Sequence, residues 1–208
     1  MNLLALTAVL AACGLPTNGW LRAIVDVESR GNPYVINVNG PWELARQPRT
    51  REEAAAFARW LHARGYSFDS GLGQVNSANL ARLGLDTVSV FDPCQNLRAA
   101  AAVLSGCYER SAARLGETDA AVDAALSCYN TGHFTEGVRN GYVRAVRASG
   151  RGAWALAART RKSSGGAPGT GRAGAFPSRG PAVAAADGSA RRAPEVFGGM
   201  PDVFGGGQ

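Results

Sequence analysis

Between Trp20 and Glu28 the apolar residues Leu21, Ile24 and Val25 fall at the spacing of one helix face, and the next position of that stripe is Glu28 itself. A helix is therefore predicted here with a carboxylate directed at the core. Arg22 and Asp26 are assigned to the opposite face, and Ser29-Arg30-Gly31-Asn32-Pro33 ends the helix directly after the acid. Glu28 is thus expected at the rim of a cleft, where partial burial raises a carboxyl pKa toward the range of a general acid. The alternative for this segment alone is a helix-terminal Glu that reaches out to water.

Further along, residues 32–49 combine turn formers with proline breaks, which predicts a loop or a short β-hairpin. Thr50-Arg51-Glu52-Glu53 has the form of a capping box opening a helix through Arg64, with Phe57, Trp60 and Leu61 inward and Gly65 as its stop. Asn76 to Leu83 reads as a short helix ending at Gly84. Asp92-Pro93-Cys94-Gln95 supplies a cap and a first-turn proline for a long helix carrying Leu97, Ala101, Leu104 and Tyr108. Thr118 opens another, with Val122, Ala125, Leu126 and Tyr129 on one stripe.

These elements predict a mainly α-helical domain over residues 13–150, with an apolar N-terminal segment, residues 1–12, before it. Residues 151–208 are rich in Gly, Ala, Pro, Ser and Arg and show no sustained period, so they are read as a flexible C-terminal extension. Within it Pro194-Glu195-Val196-Phe197-Gly198-Gly199 recurs as Pro201-Asp202-Val203-Phe204-Gly205-Gly206, either a docking motif or chance low complexity.

Charge sharpens this division. Residues 1–148 carry 14 Lys and Arg against 13 Asp and Glu, whereas residues 149–208 carry 8 against 3. The basic excess belongs to the tail, so no nucleic-acid partner is expected for the folded part. The apolar run over residues 3–12 is too short to span a bilayer. It is compatible with a signal-peptide core, although no Lys or Arg precedes it. Leu10-Ala11-Ala12-Cys13 has the form of a lipoprotein cleavage site, and a short first helix is the other reading.

Cys13, Cys94, Cys107 and Cys128 show no Cys-x-x-Cys spacing and do not cluster with His62 or His133, so no metal site is expected. An even count fits two disulfides in an oxidising compartment. Cys94 and Cys107 share one predicted helix, about 20 Å apart along it, and cannot pair with each other. The pairing to test first is Cys107 with Cys128 across a helical hairpin, and Cys13 with Cys94; four buried free thiols are the alternative.

Polar groups set among small residues recur at three more element ends: Gly71-Leu72-Gly73-Gln74-Val75-Asn76, Leu126-Ser127-Cys128-Tyr129-Asn130-Thr131-Gly132 and Asn140-Gly141-Tyr142-Val143. Amides beside close-approaching glycine backbone suit sugar hydroxyls and acetamides. Taken in order after Glu28-Ser29 and Asn32-Pro33-Tyr34, this wording resembles the lysozyme-like lytic transglycosylases that cleave peptidoglycan. It is more closely similar to the small branch associated with type IV secretion and conjugation. The resemblance covers roughly residues 13–148, including Asn37-Val38-Asn39-Gly40, Arg46-Gln47-Pro48, Phe68-Asp69 and Phe91 to Leu97.

The resemblance implies a lysozyme-like fold in which Glu28 is the single catalytic acid and base. It would protonate the glycosidic oxygen between N-acetylmuramic acid and N-acetylglucosamine, then deprotonate the muramic acid C6 hydroxyl to give a 1,6-anhydro product. A second carboxylate, which ordinary glycosidases require, is then not needed, and the resemblance gives Asp69 no catalytic role. It further implies that Ser29 orients Glu28, that Gln74 and Asn76 line the glycan cleft, and that Tyr129, Asn130 and Tyr142 contact or position the sugar. No cofactor is implied. Peptidoglycan strands are the implied partner, type IV secretion components a partner of the tail, and the periplasm or cell envelope the location. The competing readings are a non-catalytic glycan-binding scaffold and a hydrolytic lysozyme. Two departures bear on subsites: Gly73 stands where many relatives have Met, and His133 where they have Asn or another small polar residue.

Overall fold

The computed structural model describes residues 3–17 and 19–150, and the predicted C-terminal extension with its Phe197 and Phe204 repeat lies outside the described residues. The chain runs α1 (Leu3–Ala12), α2 (Trp20–Glu28), β1 (Ile36–Val38), α3 (Arg51–Ala63), β2 (Phe68–Ser70), β3 (Val75–Asn76), three single 3-10 turns, α4 (Pro93–Leu115), α5 (Asp119–Thr131) and α6 (Glu136–Arg139). A last helical run, α7, occupies residues 142–150. The architecture is mainly helical, as the periodicity predicts, with one small sheet.

The long helices begin where their caps dictate. Thr50, Asp92 and Thr118 each accept a hydrogen bond from the backbone N–H three residues on, satisfying a donor the helix leaves open. The expected capping box at α3 differs in one respect. The Glu53 carboxylate reaches past Thr50 to the Arg49 N–H at 2.7 Å and pairs with Arg46, so it fastens the preceding loop instead of only the helix start.

Helix α2 lies between two apolar clusters. Leu21 and Val25 belong to the larger one, with Leu6 and Leu10 of α1, Leu61 of α3, Phe68 of β2 and Leu97 of α4. Ala23 and Ile24 belong to a second, with Leu126 of α5 and Tyr142, Val143 and Val146 of α7. Wholly buried side chains such as Ile24 and Leu10 contribute about 2 kcal/mol each relative to exposure. Because α2 is covered on more than one side, Arg22 is not on a solvent face as its position in the stripe predicts. It is buried, at 7% exposure, and its Nε has no hydrogen-bond partner among the described residues. Asp26 is exposed and accepts a hydrogen bond from Ser149 Oγ at 2.6 Å.

The sheet has the order β1-β2-β3, both pairs antiparallel. Residues 32–49 do not fold back on themselves as a hairpin: β1 pairs with β2, with Asn37 opposite Asp69, and the hairpin is instead β2–β3, closed by Gly71 to Gln74. Strands of three and two residues are too short for alternation to announce them. The predicted helix from Asn76 to Leu83 is two 3-10 turns, Ser77–Asn79 and Ala81–Leu83, stopped by Gly84 in the left-handed region. Their bonds run i to i+3, from Leu80 N to Ser77 O and from Leu83 N to Leu80 O, which lets buried Leu80 enter the core.

Two disulfides close the fold, Cys13–Cys94 joining the end of α1 to the start of α4 and Cys107–Cys128 joining α4 to α5. Arg98 Nη2 adds a hydrogen bond to the Cys13 carbonyl at 3.1 Å. Among the described residues no helix is long and apolar enough to cross a membrane. The bridges span 81 and 21 residues. On chain-entropy grounds, Cys13→Ser with Cys94→Ser should lose about 4–5 kcal/mol and Cys107→Ser with Cys128→Ser about 3 kcal/mol. Urea unfolding of the two double variants tests that order.

Candidate active site

Helix α2 delivers Glu28 at its last turn, and the next residue holds that turn in place. Ser29 Oγ donates to the Leu72 carbonyl at 2.8 Å, and its contact with the Val25 carbonyl is 3.1 Å. The end of α2 is thereby fixed to the β2–β3 turn. From the far end of the domain, the Tyr142 hydroxyl donates to Glu28 Oε1 at 2.6 Å. Oε2 has no partner among the described residues, which leaves it as the oxygen able to hold and pass on a proton.

Burial pushes the Glu28 carboxyl from an ordinary 4.5 up to about 7, the Tyr142 hydrogen bond pulls it down, and the negative charge of Asp69 pushes it up again. Tyr142 and Tyr129 are themselves driven upward by burial and by the nearby Glu28 charge. Both stay phenols, so Tyr142 can only donate to Glu28. Asp69 lies on β2 opposite Asn37 and Asn76. Burial raises its carboxyl, while hydrogen bonds from Asn76, at 2.8 Å, and from Asn39 counter the rise.

The structure gathers the predicted residues around this turn, with unequal access to a ligand. Gln74 adopts φ 49°, unusual for a side-chain-bearing residue. Its amide is engaged within the protein: Oε1 accepts from Asn37 at 2.8 Å, and Nε2 donates to the carbonyls of Gly71 at 2.8 Å and Val35 at 3.2 Å. Gln74 therefore braces the turn. Asn76 Oδ1 accepts from Ala78 N–H, and its Nδ2 serves Asp69. The Tyr129 hydroxyl donates to the Gly73 carbonyl at 2.6 Å. Asn130 is exposed and accepts from Asn140 Nδ2 at 2.9 Å, while Asn140 Oδ1 accepts from the Tyr142 N–H. This pair connects the ends of α5 and α7.

Gly73 has a steric reason to be glycine. A Cβ there would stand 2.5 Å from Ala100 Cβ on α4 and 3.1 Å from the Tyr129 hydroxyl. The methionine common at this position elsewhere would not fit. His133 is exposed, with its carbonyl accepting from Ser127 Oγ at 2.6 Å.

Asn96 is a site-building residue that sequence reasoning missed. It is buried on α4; its Oδ1 accepts from Gly73 N–H at 2.7 Å and its Nδ2 donates to the carbonyls of Ser70 and Val90. Its signal in the sequence is a polar residue one position before Leu97 on a helix otherwise rich in alanine, which periodicity alone does not distinguish from a surface residue. Among the described residues, no group of three or more His, Cys, Asp and Glu side chains is arranged to hold a metal ion.

A helix-borne glutamate raised in pKa, facing a glycine-rich turn and a small sheet, agrees with what residues 17–149 match: the family described as Transglycosylase SLT domain. The chain belongs to that family. Its relatives include "Type IV secretion system protein virB1" of Brucella abortus, 42% identical over 135 residues that cover 62% of this chain and 56% of that protein. "Protein virB1" of Rhizobium radiobacter is 38% identical over 126 residues, covering 61% of this chain and 52% of that protein. "Protein virB1" of Agrobacterium fabrum is 36% identical over 126 residues, covering 61% and 51%. The chain thus spans about half the length of these curated relatives. No solved structure matches it.

The raised Glu28 has a sign-definite consequence for stability. Between 4.5 and about 7 the folded state binds the proton that the unfolded state releases, so this group favours folding fully below 4.5 and ceases to do so as pH rises through 7. Glu28→Gln, which keeps an acceptor for Tyr142, should be stabilising by up to about 3 kcal/mol near pH 8 and neutral near pH 4. Thermal or urea unfolding of both proteins at the two pH values measures the difference.

Proposed function

We propose that this domain is a peptidoglycan lytic transglycosylase in which Glu28 serves successively as acid and base, and that it opens the cell wall locally for a type IV secretion or conjugation apparatus. The observation that carries the reading is the Glu28 carboxyl itself. It is raised to about 7, held at Oε1 by Tyr142 and open at Oε2. An acid poised there is protonated in a useful fraction at neutral pH and becomes an effective base once the proton has left.

In the first step Oε2 gives its proton to the glycosidic oxygen as the bond from muramic acid C1 to that oxygen breaks, and the bonding electrons leave with the departing sugar. In the second, the Glu28 carboxylate takes the proton of the C6 hydroxyl while O6 bonds to C1. The proton returns to Glu28, no water is consumed, and the product carries a 1,6-anhydro ring. Tyr142 holds Glu28 in one orientation through both steps, since its phenol does not exchange roles with the carboxyl. Ser29 and Asn96 fix the turn against which the glycan would lie. Asn76, Tyr129 and Asn130 are proposed to line or support the sugar site, Gln74 to act through the shape of the turn.

Two disulfides within the domain support a location in the cell envelope, outside the reducing cytosol. The relatives' printed names support service to a type IV secretion system. A contact of secretion components with residues 151–208 remains part of the proposal through the composition of that segment alone.

Digestion of purified peptidoglycan followed by mass spectrometry of the muropeptides tests the reaction: 1,6-anhydro ends are expected, whereas reducing ends would indicate a hydrolase and intact strands a binding scaffold. Glu28→Gln should reduce cleavage at least 10³-fold or so with the fold retained, as an amide does not carry the proton. The kcat/KM profile should fall above about pH 7, following Glu28. Tyr142→Phe removes the bond that lowers the Glu28 pKa, and should therefore move that alkaline limb upward.

A further inference from the structure

Asp69 is a carboxylate whose charge acts on Glu28 and that the proton transfers above do not use. Its position is over-determined. On β2 it stands at the centre of the three-stranded sheet, with Asn37 opposite it on β1 and Asn76 on β3. Asn76 Nδ2 donates to Asp69 Oδ1 at 2.8 Å, and the side chain of Asn39, two residues beyond Asn37, lowers its carboxyl from β1's side. Asn39 is in turn tied to Ser67 Oγ at 3.1 Å and through its N–H to the Ser67 carbonyl at 2.8 Å. The Asn76 amide presents an N–H group, which favours the ionised carboxylate and holds it in one orientation.

The strand that carries Asp69 leads within three residues to Leu72, whose carbonyl is bound by Ser29 next to Glu28. The sheet and the end of α2 thus bring the two acids from two elements close enough for the charge of Asp69 to act on Glu28.

Resting on the transglycosylase reading, we propose that Asp69 acts as a fixed anion beside the sugar. It stabilises the positive charge that develops across C1 and the ring oxygen while Glu28 alone moves the proton. No bond to Asp69 forms or breaks: the leaving oxygen still takes its proton from Glu28, and O6 still closes on C1. The two environments divide the roles. Glu28, desolvated and facing the negative charge of Asp69, keeps its proton to about 7, while Asp69 is held as an acceptor by the Asn76 amide.

The test is Asp69→Asn in the full chain, a near-isosteric change that retains an acceptor for Asn76. On soluble peptidoglycan oligomers, kcat should fall on the order of 10²-fold with KM within about threefold, the remaining product still carrying anhydro ends. The alkaline limb of kcat/KM should shift to lower pH, since the like charge that raises Glu28 is gone, and Asp69→Glu should recover part of kcat. A folded Asp69→Asn variant with kcat within about threefold of the parent, or with an unmoved alkaline limb, overturns the proposal.

Carbon-13 NMR of the side-chain carboxyls of the unsubstituted protein supplies a readout that no folding defect can obscure. Asp69 should be ionised at neutral pH while Glu28 is still titrating, and a protonated Asp69 there also overturns the proposal. Failure of the underlying reading would look different: reducing ends from the parent protein, or turnover surviving in Glu28→Gln.

Discussion

The β2–β3 turn, Gly71 to Gln74, is pinned from several sides at once, and the geometry of the site follows from that. Ser29 holds the Leu72 carbonyl, Asn96 holds the Gly73 N–H, Tyr129 holds the Gly73 carbonyl, and Gln74 closes the turn on Gly71 and on β1. Each bond comes from a different element, so α2, α4, α5 and the sheet cannot move independently where they meet. Glycine is required because no side chain fits: a Cβ on Gly71 would lie 2.2 Å from Asn96 Nδ2, and one on Gly73 2.5 Å from Ala100 Cβ. A buried network of this kind is stable only when nearly every donor and acceptor is satisfied, and among the described residues no buried side-chain polar atom of Ser29, Gln74, Asn96 or Tyr129 is left without a partner.

With that turn fixed, the electrostatics of Glu28 become a matter of location. The carboxyl is desolvated by the packing of α2 between two cores, yet it lies at the helix end, beside the β2–β3 turn. Tyr142 contributes orientation more than charge, as its phenol is held neutral by its own burial. The raised carboxyl destabilises the folded state at alkaline pH, a local penalty of the sort found at sites arranged for chemistry. The disulfides at the start and in the second half of the long helix α4 stabilise the surrounding frame against it.

The helical frame and its caps were legible in the sequence because their causes are short-range. A period of 3.6 residues, Thr50, Asp92 and Thr118 at helix starts and Gly84 and Gly132 at ends act within a few residues of where they stand. Arg22 shows the limit of the same reasoning: a polar residue off the apolar stripe is read as exposed, yet on a helix packed between two cores it is buried. The sheet was not legible as paired, since β1 finds its partner across the whole of α3.

What the sequence determined by itself is the acid at the end of an amphipathic helix, the glycine-rich amide motif, the two cysteine pairs as a testable arrangement, and the family wording that unites them. What the tertiary structure decided is which group touches which. Tyr142 reaches Glu28 across a separation of 114 residues, Gln74 turns its amide inward instead of toward a ligand, and Asp69 comes to rest between Asn39 and Asn76. Periodicity and capping are properties of neighbouring residues along the chain, whereas a hydrogen bond between distant side chains exists only after the cores on either side of α2 have packed and brought the two groups within reach.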